Sequence, residues 1–265
     1  MSRPALPEPV ARVASELGGL PGVTAVALGG SRATNTHRPD SDWDLGVYYR
    51  DRLDPEEVRR LGHLGYVSEL GEWGPIMNGG AWLTVDGTPV DVLFRDLDIV
   101  EGWLADAEEG RFEVLMQNGY VVGAPTYLPV AELAAARVLR GELPRPRFPD
   151  ALATAAPPRW RGRAAVSLMF ARIHAGAADA VCCTGMLSGA ILCEAHARLA
   201  ERREWALNEK RLVERAGLGE LQSLLAAPGV EAVDEVAAAL GVEPLSARPS
   251  AATSGRSRPR AQPKP

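Results

Sequence analysis

Gly29-Gly30-Ser31-Arg32, followed after a turn by Asp42-Trp43-Asp44-Leu45, is the stretch from which the rest of the chain can be read. An apolar run, Val23 to Leu28, comes before it and predicts a short buried strand. The two glycines punctuate that strand. Ser31 is placed to cap a helix starting at Arg32. The turn formers Arg38-Pro39-Asp40-Ser41 come next. Asp42-Trp43-Asp44 then leads into a second apolar run, Leu45 to Tyr49.

The residue types in this pattern point to one chemistry. Glycines at a strand-to-helix junction let backbone N–H groups approach phosphate oxygens, and the helix dipole adds to the attraction. Asp42 and Asp44 are two apart, so on a strand both carboxylates share a face. Such neighbours repel unless a cation lies between them. Hard divalent cations take oxygen ligands of this kind and share them with substrate phosphates. A phosphate cradle beside paired carboxylates is the equipment of phosphoryl or nucleotidyl transfer.

Gly-Gly-Ser followed some ten residues on by Asp-x-Asp resembles the signature of the DNA polymerase β-like nucleotidyltransferase superfamily. The nearer likeness is to its bacterial aminoglycoside-type and minimal members, in which a helical domain follows the catalytic one. The resemblance implies a third carboxylate on a later strand. Val90-Asp91-Val92-Leu93-Phe94 supplies it: an Asp inside an apolar run is costly to bury unless paired or on a metal. It further implies two Mg²⁺ ions, both bridged by Asp42 and Asp44, with Asp91 on the ion that activates the acceptor oxygen. Gly29, Gly30, Ser31 and Arg32 would bind the nucleotide, with ATP as the expected NTP. Lys210 would reach back to the triphosphate; its alternative is a solvated helix face. The general base is left open between Asp91 and Glu194, which falls on an apolar helical face. The acceptor would be a hydroxyl of a small molecule, such as an antibiotic. Transfer to tRNA or protein, as in toxin–antitoxin systems, and a non-catalytic nucleotide-binding module are the alternatives.

Composition narrows the partners. Net charge is −5 over 265 residues, which argues against a general nucleic-acid binder. Ser246 to Pro265 holds four prolines, five basic residues and no acid, and reads as a disordered tail. Removing its five positive charges from −5 leaves −10 on the remainder. No run of about eighteen apolar residues stands out, and no signal peptide, so the expectation is a cytoplasmic protein without a membrane partner. Cys182, Cys183 and Cys193 read as buried thiols rather than as a disulfide framework. Oligomeric state is not legible.

Further out, the fold reads as α+β: a small mixed twisted sheet with flanking helices, then an α-helical bundle. Residues 1–143 form the catalytic domain, 144–158 a linker with five prolines, 159–245 the bundle and 246–265 the tail. Within the first part, Val10 to Leu17 has helical spacing. Asp54-Pro55 opens a helix whose buried face takes Val58, Leu61 and Leu64. Gly71 to Gly80 reads as a loop near the site. Asp86-Gly87 joins two strands in a hairpin, and Asp96 or Asp98 starts the helix after it. Leu128 to Leu139 reads as one helix. In the bundle, Val166, Met169, Phe170 and Ile173 form one stripe, and Leu187, Ala190, Ile191 and Glu194 another. Leu212 to Leu225 and Val230 to Leu240 give two more helices. Trp43, Trp73, Trp82 and Trp103 are core candidates, although the last three could stack on a base or an aromatic acceptor.

Overall fold

The computed structural model describes residues 6–34, 36–38 and 41–242; the tail at 246–265 lies outside them. A six-stranded mixed sheet forms the first part. Its strands are β1 (Val23–Leu28), β2 (Trp43–Tyr49), β3 (Leu64–Val67), β4 (Gly79–Val85), β5 (Thr88–Asp96) and β8 (Arg137–Arg140), in the order β3-β4-β5-β2-β1-β8. β2 and β5 run parallel at its centre, and every other pair is antiparallel. The β4–β5 hairpin turns on Asp86 (φ 48°) and Gly87 (φ 77°), the left-handed pair that a two-residue loop needs. A separate two-stranded ladder joins β6 (Val114–Leu115) and β7 (Ala124–Pro125).

Alternation divides the sheet into two faces. Leu45, Val47, Val90, Val92, Phe94, Ala81 and Leu83 pack under α1 (Glu8–Leu17), whose Val10, Val13, Ala14 and Leu17 are buried as the spacing predicts. α2 (Gly30–Ala33) and α3 (Pro55–Arg59) lie at strand ends. On the opposite face, Ala25, Ala27 and Tyr48 pack with Leu97 and Val100 of α4 (Leu97–Glu108) and Val130 and Leu133 of α5 (Leu128–Ala135). Asp96 caps α4, accepting from the Asp98 and Ile99 amides.

The second part is helical: α6 (Asp150–Gly176) and α7 (Ala180–Glu201) form a long hairpin. α8 (Leu212–Arg215), a 3₁₀ turn at Gly219–Ala226 and α9 (Val230–Leu240) complete it. Trp160, Leu168, Leu187, Ile191, Val233 and Val236 are among the residues of its core.

Several local expectations are corrected. The proline-rich stretch is not extended over its second half, because α6 starts at Asp150 and runs through Pro157 and Pro158. Packing of Leu152, Ala156 and Trp160 into the core outweighs two missing N–H donors. The helix from Leu128 ends at Ala135, and residues 137–140 instead pair with β1 as β8. Leu64 begins β3 and is exposed. Val166, Phe170 and Ile173 stand on the outer face of α6, while its alanine-rich face turns inward and lets the helices approach. Positive φ at Gly217 breaks the region after α8. Cys182 is exposed, whereas Cys183 and Cys193 are buried.

Contrary to the expectation from composition, α7 is long and apolar enough to cross a membrane, by length and composition only. Over half of the qualifying segment (56%) is buried inside the protein, so it serves as the central helix of the bundle.

Candidate active site

The site is built on one cross-strand row. Asp44 of β2 lies directly opposite Asp91 of β5 on the parallel pair. Opposed residues on neighbouring strands project to the same face. Neither Asp44 nor Asp91 has a hydrophobic partner layer beneath α1; they face the side that α4 and α5 cover only farther along the strands. Asp42 precedes β2 and is exposed.

The turn between β1 and β2 fits closely around Asp44. The Gly29 amide donates to the Asp44 carbonyl at 2.8 Å. Gly30 has φ 57°, and a Cβ there would stand 1.9 Å from Oδ2 of Asp44. Only glycine fulfils both conditions, backbone and space. Ser31 is not the N-cap that its sequence position suggests. Gly29 holds that place and α2 begins one residue earlier, so Ser31 lies in the first turn, where amides have no intrahelical acceptor.

Arg32 turns toward the protein. Its guanidinium donates to the carbonyls of Ser41 (2.5 and 3.1 Å) and Asp42 (3.0 Å) and stacks on Trp43 at 4.0 Å. It thereby fixes the turn that carries Asp42.

Electrostatics mark the same group. Burial raises the Asp44 carboxyl to about 6, with the charges of Asp91 and Asp42 adding to the rise and Lys210 opposing it. Burial also raises Asp91, Asp42 adds to it, and Lys210 again opposes. The Lys210 charge therefore acts on both aspartates. Lys210 sits on a loop, not on a solvated helix face. Two anchors hold that loop. Trp205 packs on Phe148 at 4.5 Å between ring centroids. The Glu209 carboxylate accepts from the amides of Val121 (2.6 Å) and Val122 (3.0 Å).

Glu194 has another occupation. It is buried, with both oxygens on Arg161 (3.0 and 3.1 Å) and one also on Arg198 (3.1 Å). It is not among the charges that act on Asp44 or Asp91, and it ties α6 to α7.

Sequence reading missed two contributors, and weighed a third toward the core. Arg95, two positions beyond Leu93 on the Asp91 face, is buried and held bidentately by Glu132 at 2.7 and 3.0 Å. Glu209 escaped notice because its role depends on a distant loop. Trp82, offered as core with ring stacking as the alternative, is 55% exposed and sits opposite Asp91.

An all-oxygen donor set with a deficit of positive charge suits a hard divalent cation. Among the described residues, the carboxylate oxygens of Asp42, Asp44 and Asp91 do not all come within 4.8 Å of one another. Among the described residues, the ligand atoms of His174, Asp179 and Cys182, at the α6–α7 turn, all come within 4.8 Å of one another. Asp179 is there already engaged as the cap of α7 and with His174 at 3.2 Å.

Comparison with known proteins bears on the segment that carries the glycine turn. Residues 10–76, a segment that contains Gly29, Gly30, Asp42 and Asp44, match the model of the nucleotidyltransferase domain family. Among solved structures, a nucleotidyltransferase-like protein from Exiguobacterium sibiricum is similar with a TM-score of 0.43 at 9% identity, over 88% of this chain and 72% of that one. A search of curated proteins finds no match.

Proposed function

We propose that the protein transfers the nucleoside monophosphate of an NTP, in the first instance ATP, to a hydroxyl of a small molecule. The observation that carries this reading is the pairing of Asp44 with Asp91 in one row, with Gly30 closed against Asp44 and Lys210 brought to both. Asp42, Asp44 and Asp91 would hold Mg²⁺, which when bound supplies neutralisation of the triphosphate and a more acidic acceptor hydroxyl. The first-turn amides of Gly30 and Ser31 receive phosphate oxygens, and the Lys210 ammonium pairs with the same group. Asp91 takes the proton of the hydroxyl. The acceptor oxygen bonds to the α-phosphorus, the bond from that phosphorus to the bridging oxygen breaks, and pyrophosphate leaves with the electron pair.

The test is pyrophosphate release with each of the four NTPs and Mg²⁺ against aminoglycosides, lincosamides and bulk tRNA, with Asp44→Asn as control. Release that needs one small acceptor and disappears in the variant supports the proposal. Release with tRNA alone moves the assignment to a macromolecular acceptor. Binding of Mg·NTP with no release from any acceptor leaves a nucleotide-binding module.

A further inference from the structure

The row that pairs Asp44 with Asp91 continues across the sheet. Asp91 lies opposite Trp82 on β4, and Trp82 lies opposite Tyr66 on β3. One face at one level thus reads glycine turn, Asp44, Asp91, Trp82, Tyr66. The two aromatic side chains are 55% and 41% exposed, while Ala81 and Leu83 beside Trp82 point to the other face. Trp73 backs them: its ring stacks on Trp82 with centroids 4.9 Å apart and 24° between planes, and the Tyr66 ring is tilted 33° to Trp82 at 5.6 Å.

This group is held in place. A Cβ on Gly80 would come within 2.5 Å of Cζ3 of Trp73, so the absence of a side chain at Gly80 leaves room for the indole. Gln117 donates to the Trp73 carbonyl at 2.7 Å. The Tyr66 hydroxyl donates to Glu72, whose other oxygen accepts from the Glu69 amide at 2.7 Å. Large aromatic faces fixed in the open next to a charged site are the surfaces on which rings stack.

We infer that Tyr66, Trp73 and Trp82 form the acceptor subsite, and that the acceptor is a ring-bearing alcohol without phosphate groups, its ring lying on the Trp82 indole and its hydroxyl directed to Asp91. This rests on the transferase reading and adds the acceptor's place and class. The glycine turn and the aromatic wall flank the aspartates on opposite sides, so nucleotide and acceptor approach from opposite ends of the row. Charge argues against a polynucleotide there. Asp91, Glu69 and Glu72 border the wall, and the nearby Arg59 is engaged by Glu56, Glu69 and the Val67 carbonyl. A phosphate backbone lying on the wall would meet these carboxylates.

The experiment uses the full chain with Mg²⁺ and an unreactive ATP analogue. Tryptophan emission is followed while an aminoglycoside, a lincosamide or bulk tRNA is added. Saturable quenching by a phosphate-free ring compound, lost in Trp82→Ala, is the expected result. In turnover, Trp82→Ala should raise the acceptor KM about tenfold, as loss of one stacked ring does, and leave the ATP KM unchanged. Trp82→Phe, which keeps a flat ring, should restore most of that loss. No Trp82-dependent quenching by any small ring compound, or quenching by tRNA alone, overturns the inference. So does a Trp82→Ala effect on the ATP KM with the acceptor KM untouched. Calorimetric titration of Mg·ATP into the wild-type protein checks the transferase reading separately.

Discussion

At the scale of single residues, Gly30 and Asp44 act as a unit. A methyl group at position 30 would collide with the Asp44 carboxylate while also forcing an L side chain into positive φ. Such strain costs on the order of 1–3 kcal/mol, and here it would also displace a ligand. Gly30→Ala should therefore cut pyrophosphate release by about a hundredfold or more, since displacements of even 1 Å have that effect. Steady-state assays beside circular dichroism would separate this from unfolding.

Asp44 gives a second prediction, with the sign set by linkage. Its carboxyl is near 3.8 unfolded and about 6 folded. Between those values the folded state holds the extra proton, so stability falls as pH rises through that window and stays reduced above it. The cost is about 3 kcal/mol at most, at 1.36 kcal/mol per pH unit. Asp44→Asn should accordingly raise the melting temperature of the metal-free protein at pH 7.5 and change it little at pH 4. A variant that melts lower at pH 7.5 would show that repulsion and burial do not dominate at this position.

Among elements, the loop from Trp205 to Arg211 matters most for the site, because it carries Lys210 without regular structure of its own. Its hold on Val121 and Val122 is one carboxylate accepting two amides. Glu209→Ala should free the loop and raise the ATP KM several-fold, in the direction of Lys210→Ala and by less. Equal ATP KM values for wild type and Glu209→Ala would sink this positioning role. A different element offers a stability test. Pro158 is exposed within α6 and supplies no N–H to the turn before it. Pro158→Ala restores that donor and removes the ring clash, for which about 1–3 kcal/mol of stabilisation is expected by chemical denaturation.

The elements also show what the sequence could and could not disclose. Strands β1, β2 and β5, the hairpin at Asp86-Gly87 and the buried stripe of α1 follow from local apolar spacing and turn chemistry, and the structure has them. The Asp44–Asp91 level is a matter of register between strands about forty-five residues apart, which no local pattern encodes. Trp82 therefore reads from sequence as core with stacking as its alternative, and the structure favours the exposed side of that choice, since its neighbours Ala81 and Leu83 point inward. α6 defeated the reading for another reason: its prolines signal a break, whereas its burial against α7 is a tertiary effect. Glu194 lies on the predicted buried stripe, but its two arginine partners are set by how α6 and α7 pack.

For the molecule as a whole, carboxylates raised by burial and by one another make a cation a stabilising ligand. Added Mg²⁺ should raise the melting temperature more at pH 7.5, where Asp44 is ionised, than at pH 5, where a proton competes for it. Asp91→Asn should reduce that difference. A Mg²⁺ shift that is the same at both pH values would place the ion elsewhere.

The strand order carries one more consequence, for the birth of the chain. β2 stays without its parallel neighbour until β5 has been made, and β1 keeps an open edge until residues 137–140 arrive. The matched segment 10–76 holds the glycine turn and two of the aspartates yet lacks the strand at the middle of its own sheet. Emerging from a ribosome, those residues would wait unpaired, and a chain released before Asp96 should be digested by protease where the finished protein resists.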